Sequence, residues 1–339
     1  MNRVLVPLQL EGAAPLLGGR THSLSGETMG TTWRVLCATS QARSLESVRW
    51  AVQAELDLVV AQMSTWLSGS DLDRFNRAPA GTWHSLPEPF AEVLEAALWM
   101  ADASGGAFNP AAGALVNLWG FGPSPRYTDA SFRMPTNDAV QTALAHIDWR
   151  ALQWDAGRRE AHQPGGVWLD FSAIAKGHAV DRVSRRLNDM GLQNTLVEVG
   201  GELRGQGFGL GGQPWWVELE SPPVVEGARP LLPTRVALHG ICVATSGDYR
   251  RAFTQDGAHW PHTIDPRQGR PVGHGLASVS VLHQECLWAD AWSTALTVLG
   301  QEQGMALAME HRIAALFVQR EPDGSLRETL TPAMEAFAE

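Results

Sequence analysis

Asp170 and Lys176 stand six positions apart in the run Leu169-Asp-Phe-Ser-Ala-Ile-Ala-Lys-Gly-His-Ala-Val-Asp181. The carboxylate closes an apolar strand, and the ammonium falls within what reads as the following helix. Between them Ser172, Ala173 and Ala175 are small enough to let a ligand approach the backbone. Far along the chain, Ala289-Asp-Ala-Trp-Ser-Thr294 places Asp290 and Thr294 four apart, so a helix stacks their oxygens on one face. Two oxygens at that spacing, with backbone carbonyls nearby, suit a hard cation such as Mg2+ that keeps some water and binds phosphate. Singly, Asp290 also reads as a helix-start carboxylate and Thr294 as a back-bonded threonine. Taken together, the two runs point to a metal-assisted phosphate site.

Other stretches offer groups whose use depends on where the fold puts them. Gly26-Glu-Thr-Met-Gly-Thr-Thr-Trp33 precedes a strand over 34–38; Gly30 suits a positive φ, and alone the run reads as a plain turn. In Met63-Ser-Thr-Trp66 the indole of Trp66 could stack on a base, with Ser64 or Thr65 on a ribose or phosphate, while Ser70-Asp71 reads as a helix cap. Ser104-Gly-Gly-Ala-Phe-Asn-Pro110 and Leu118-Trp-Gly-Phe-Gly122 lack the Lys-Ser/Thr ending of a phosphate loop and fit an aromatic cleft wall better. Val199-Gly-Gly-Glu202 reads as a structural bend. Ser246 in Thr-Ser-Gly-Asp is not a Gly-x-Ser-x-Gly elbow, which argues against a serine hydrolase. His262, three residues before Asp265-Pro266, reads equally as a structural histidine and as a general base.

The elements that must position these groups alternate without a regular βαβ rhythm. Apolar periodicity predicts helices over 44–63, 88–103, 173–190 and 287–299. Strands are expected at 167–171, 195–199, 215–219, 236–244, 277–283 and 313–319, with Gly/Pro-rich loops at 104–125, 205–214 and 221–234. This order is that of an α+β fold with a mostly antiparallel sheet. Residues 1–24 read as a poorly ordered lead-in to a single domain over 25–339. At 339 residues, with 44% hydrophobic and 18% charged, the chain has the make-up of a globular enzyme able to bury a substantial core. A net charge of -10 argues against nucleic acid as a partner. Fourteen tryptophans suit both cores and flat-ligand clefts. Cys37, Cys242 and Cys286 are scattered and read as buried thiols, not a disulfide framework or zinc site. No stretch is long enough to span a membrane. With no export or lipid-attachment pattern in the first residues, a cytoplasmic location is expected, or a periplasmic one if a leader precedes them.

In this order, the motifs resemble those of the ApbE family of flavin transferases. The shared pieces are Thr-Met-Gly-Thr, Met-Ser-Thr-Trp, Gly-Gly-Ala-Phe-Asn-Pro, Leu-Trp-Gly-Phe-Gly and Asp-x-Ser-x-Ile-Ala-Lys-Gly-x-Ala-Val-Asp. Val-Gly-Gly-Glu, Ala-Thr-Ser-Gly-Asp-Tyr, His-Thr-Ile-Asp-Pro-Arg-x-Gly and Ala-Asp-Ala-x-Ser-Thr-Ala complete the set, which runs from about residue 26 to 300. The resemblance implies an α+β enzyme with a T-fold-like core, packed helices and a cleft between subdomains for FAD and Mg2+. It implies transfer of the FMN half of FAD to a threonine or serine of a target flavoprotein, with release of AMP. Carried over by position, Asp170 and Lys176 contact FAD, while the Ala173 carbonyl, Asp290 and Thr294 hold the metal. Met29, Ser64, Thr65, Trp66 and Asn109 line the flavin and adenosine sites. Ser246, His262, Ile264 and Asp265 face the flavin and the reacting phosphate, with His262 and Asp265 as the catalytic pair. Two positions depart from the pattern: relatives often carry Asp where this chain has Asn109, and Tyr where it has Trp66.

The chemistry matches the residue types. Breaking a phosphoanhydride needs charge neutralisation at the bridging oxygens and an in-line nucleophile, which a divalent ion, a lysine and a histidine base supply. Two rival readings share most of these residues: a metal-dependent FAD pyrophosphatase releasing FMN and AMP, and a flavin-binding protein without turnover. The retained Asp170, Asp290, Thr294 and His262 favour catalysis, because a pure binder needs no metal.

Overall fold

Eight strands form one antiparallel sheet in which spatial order equals chain order. They are β1 (Arg20–Thr28), β2 (Thr31–Thr39), β3 (Thr195–Val199), β4 (Glu202–Gln206), β5 (Ile241–Gly247), β6 (Leu276–His283), β7 (Ala314–Arg320) and β8 (Leu326–Leu330). The computed structural model describes residues 3–7, 18–40, 44–224 and 230–338. The chain divides into two compact units. One comprises 1–57, 176–247 and 275–339, and the other 58–175 and 248–274.

The sheet belongs to the first unit. Its central strands alternate apolar residues inward, as in Thr195–Val199, where Thr195, Val197 and Val199 are buried. Helix α1 (Leu45–Met63), helix α2 (Ala175–Asp189) and helix α3 (Cys286–Glu310) accompany it, and α3 lies against β5 and β6. A three-stranded sheet of Arg3–Leu5, Thr234–Leu238 and Trp215–Glu218 shares an apolar core with the larger one, through Leu5, Trp215, Val236, Leu238, Val243 and Leu316. Cys37, Cys242 and Cys286 are all buried free thiols, as expected.

The second unit is built around Phe75, Phe90, Leu94, Leu169 and Phe171, with the Phe90 and Phe171 rings edge-to-face at 5.2 Å. Buried amides hold its chemistry-bearing segment. Asn76 donates to the Leu169 carbonyl at 2.9 Å and accepts from the Leu169 amide at 2.8 Å, while Gln163 donates to the Phe75 and Val167 carbonyls. The expected strand over 167–171 is therefore extended chain with a lone bridge, Ala112 to Trp168. Side-chain amides replace the ladder that would have defined a strand. Gly113 is required here, because a Cβ would lie 2.6 Å from the Trp168 carbonyl oxygen.

Three other expectations change. The strand expected over 236–244 is two strands in different sheets, broken at His239-Gly240, where Gly240 has φ +71°. Helix α3 continues past 299 to Glu310 through a kink at Gly300, φ +75°. Within the expected loose lead-in, Arg3–Leu5 is a strand parallel to Thr234–Leu238 and β1 begins at Arg20; positions 1–2 and 8–17 lie outside the described residues. Within the 221–234 loop, 225–229 lie outside them as well.

Candidate active site

Register brings several motifs to one end of the eight-stranded sheet. Thr28 pairs with Thr31, Val199 with Glu202, Trp33 with Val199, Leu203 with Val243 and Gly247 with Ser278. The Met29-Gly30 turn, the Gly200-Gly201 turn and the Ser246-Gly247 end of β5 therefore share one rim. Met29 (φ +49°) and Gly30 (φ +70°) form a two-residue hairpin turn with both centres left-handed. Gly30 behaves as the sequence predicts. Met29 is the less expected of the two, a non-glycine residue held in a sparsely populated conformation of the kind that recurs at functional sites.

The first turns of α2 and α3 meet at this rim. The Gly177 amide donates to Asp290 Oδ2 at 3.0 Å, so the carboxylate satisfies one of the amides that a helix start leaves orphaned. Lys176 Nζ lies 3.5 Å from Asp290 Oδ1 and 3.3 Å from Glu202 Oε1. Burial pulls the ammonium toward neutrality, and the Asp290 and Glu202 charges more than offset it, so its pKa stands above the ordinary lysine value. Burial pushes the Glu202 carboxyl up to about 7 against the pull of Lys176, and Asp290 adds to the rise. Among the described residues no donor reaches Glu202 Oε2. One turn on, the Ser246 hydroxyl lies 2.8 Å from Ser293 Oγ and 3.2 Å from Thr294 Oγ1, and Ser293 donates to the Asp290 carbonyl.

This donor set fits a hard divalent cation. Asp290 supplies a carboxylate and Thr294 a hydroxyl on one helix face. With two carboxylates to one lysine, the cluster holds surplus negative charge, and a buried oxygen of Glu202 remains unpartnered. Gly177 is fixed by the same packing: a Cβ there would overlap the Cys286 carbonyl oxygen and lie 2.8 Å from Asp290 Cβ. Gly177→Ala is expected to cost about 2 kcal/mol despite alanine's better helix propensity, measured by chemical unfolding.

In the second unit, Asp170 Oδ1 accepts from the Ser172 amide at 2.7 Å and the Asp170 amide donates to the Pro110 carbonyl. Ala173 lies in the turn over 172–174 just before α2. Ser64 Oγ accepts from the amides of Trp66 and Leu67, and Ser70 caps the helix Asp71–Asn76. Trp66 is 52% exposed, so its ring face is open to a flat ligand, while the half-buried Thr65 stands beside it. His262 is half-buried, with Nδ1 3.1 Å from the Arg251 carbonyl and its ring edge-on to Phe121 at 6.3 Å. A carbonyl only accepts, so Nδ1 carries the proton and the Nε2 lone pair of the neutral ring faces away from that bond. Phe121 belongs to an aromatic group in which Tyr127 stacks on Phe253 at 5.3 Å.

Three expected site residues make scaffold contacts. Asp265, 3% exposed, accepts from the Arg267 amide and guanidinium and from the Gln268 side chain, which closes the turn of the Ile264–Asp265 hairpin. These contacts hold the turn that carries the segment. Ile264 is buried among Leu115, Trp119, Val140 and Ile147. Asn109 is buried, donates to the Ile147 carbonyl at 2.9 Å and accepts from the Ala111 amide at 2.8 Å. An aspartate could accept but not donate, which is a physical reason for the amide in this chain. Asn109→Asp is expected to destabilise the fold by about 2 kcal/mol, read from urea unfolding, with a carboxylate set against a carbonyl.

Glu202 is the residue that sequence reasoning missed. Its signal was available: pairing with Val199 puts it on the inward face of the strand alternation, where a carboxylate is out of place. Asn76 and Gln163 left no such signal, because their amides act through tertiary contacts.

The model of the ApbE family matches residues 29–317. The chain belongs to the ApbE family. Among its ApbE relatives, an FAD:protein FMN transferase of Haemophilus influenzae is 34% identical over 327 residues, covering 95% of this chain and 93% of the relative. One from Vibrio cholerae is 34% identical, covering 89% and 88%. Among solved ApbE structures, the flavinyl transferase of Pseudomonas stutzeri in its apo form superposes with a TM-score of 0.84 at 37% identity, covering 96% of this chain and 98% of that one. The flavin transferase of Vibrio cholerae gives 0.86 at 32% identity, covering 94% and 100%. The mixed helices and antiparallel sheets described above are thus those of ApbE proteins.

Proposed function

We propose that this chain is an FAD:protein FMN transferase that uses Mg2+ to move the FMN half of FAD onto a Thr or Ser hydroxyl of a flavoprotein. AMP is the leaving group. The observation that carries the reading is the buried Lys176–Asp290–Glu202 cluster at the rim where the family's motifs gather. Asp290 and Thr294, with the Ala173 carbonyl, are the residues that would hold the ion. Mg2+ bound by them supplies Lewis-acid neutralisation of the diphosphate.

The remaining roles belong to side chains. Lys176 donates to phosphate oxygens that gain charge as the P–O bond to AMP breaks. His262 Nε2 takes the proton from the acceptor hydroxyl as its oxygen bonds to the FMN phosphorus. Trp66 offers a stacking face, with Ser64 and Thr65 at its edge, and Met29 and Asp170 complete the FAD contacts. Ser246 fixes Thr294 through its hydroxyl.

The test follows AMP release from FAD with and without a candidate flavoprotein, each with Mg2+ and with a chelator. Acceptor-dependent AMP that vanishes with the chelator is the expected result. Release at full rate without acceptor makes the protein a pyrophosphatase, and release unaffected by the chelator removes the metal.

A further inference from the structure

Glu202 is only 4% exposed and follows directly on the Gly200-Gly201 turn at the start of β4. Burying a carboxylate is costly, and one oxygen here has no described donor to offset that cost. An apolar side chain would suit this inward position of the sheet better, so the charge has to act on a neighbour. That neighbour is Lys176, whose ammonium stands almost equally far from Glu202 (3.3 Å) and Asp290 (3.5 Å). The lysine stem runs past this turn, where a Cβ on Gly200 would clash with Thr31 Cγ2 at 2.9 Å and touch Lys176 Cδ at 3.4 Å.

Electrostatics give the sharing a direction. With one carboxylate per ammonium, Asp290 would be neutralised by Lys176, and no net negative charge would be left to attract a divalent ion. With two, the ammonium is balanced by Glu202 and the charge on Asp290 is left over. We propose that Glu202 is a positioning residue for the metal site: by drawing the Lys176 ammonium toward itself, it keeps the Asp290 carboxylate available to a divalent cation. Glu202 touches neither FAD nor the ion in this scheme. The inference rests on the Mg2+ reading given above.

Calorimetric titration of MgCl2 into the full-length, FAD-free protein at mildly alkaline pH separates the possibilities without any turnover. Glu202→Gln is expected to weaken Mg2+ binding on the order of tenfold, while Glu202→Asp, which keeps the charge, stays within about threefold of wild type. The deciding variant is Glu202→Gln with Lys176→Met. Removing the lysine that Glu202 restrains brings affinity back toward wild type. Equal binding by wild type and Glu202→Gln overturns the proposal. A double variant as weak as Glu202→Gln also overturns it, since Glu202 would then act on the ion or the fold and not through Lys176. If wild type binds no Mg2+ with or without FAD present, the metal reading itself fails and this inference falls with it.

Discussion

Asp290→Asn is expected to lower the rate of FMN transfer by about three orders of magnitude, with no recovery on adding Mg2+. The substitution is nearly isosteric. The carbonyl oxygen of the introduced amide can still accept from the Gly177 amide, as Asp290 Oδ2 does at 3.0 Å, so the junction of α2 and α3 survives. Lys176 keeps Glu202 at 3.3 Å and is not left as an uncompensated buried charge. What the variant loses is one negative charge on the helix face that also carries Thr294. Steady-state rates over a range of MgCl2 show the loss, and unfolding curves close to wild type show that it is not a folding defect. A variant retaining a tenth or more of the wild-type rate would remove Asp290 from the metal site.

Replacing His262 by Ala is expected to lower kcat by about a thousandfold while leaving the KM for FAD within about threefold of wild type. The split follows from where the ring sits. Its Nδ1 proton is taken up by the Arg251 carbonyl at 3.1 Å, which fixes the tautomer, and its ring edge meets Phe121. The side chain is therefore expected to matter for proton removal from the incoming hydroxyl more than for substrate affinity. Added imidazole should return part of the lost rate, because the missing group is a base and not a structural wedge. Wild-type transfer by the variant would assign the proton to another residue.

How much could be read from the sequence differs by element. Periodicity located α1 within a residue at its start and β3 at both ends, because each buries one regular face. The segment 167–171 misled it: an apolar run reads as a strand, yet buried Asn76 and Gln163 amides satisfy its backbone in place of a neighbouring strand. The site divides the same way. Lys176 and Asp290, remote in sequence, do come together, and the small residue between their elements, Gly177, is what lets the backbone approach. Asp265 and Asn109 entered the expected site through the family resemblance and not through their local chemistry. The structure adds their contacts: Asp265 accepts from Arg267 and Gln268, and Asn109 bridges the Ile147 carbonyl and the Ala111 amide. Glu202 was passed over for the opposite reason, since two glycines before it made the motif look purely structural.

Flavinylation of an acceptor can be weighed directly. A flavoprotein incubated with the enzyme, FAD and Mg2+ should gain the mass of one FMN less water on a Thr or Ser, with one AMP formed per adduct and no adduct from Asp290→Asn. AMP accumulating while the acceptor's mass stays unchanged would contradict the transfer.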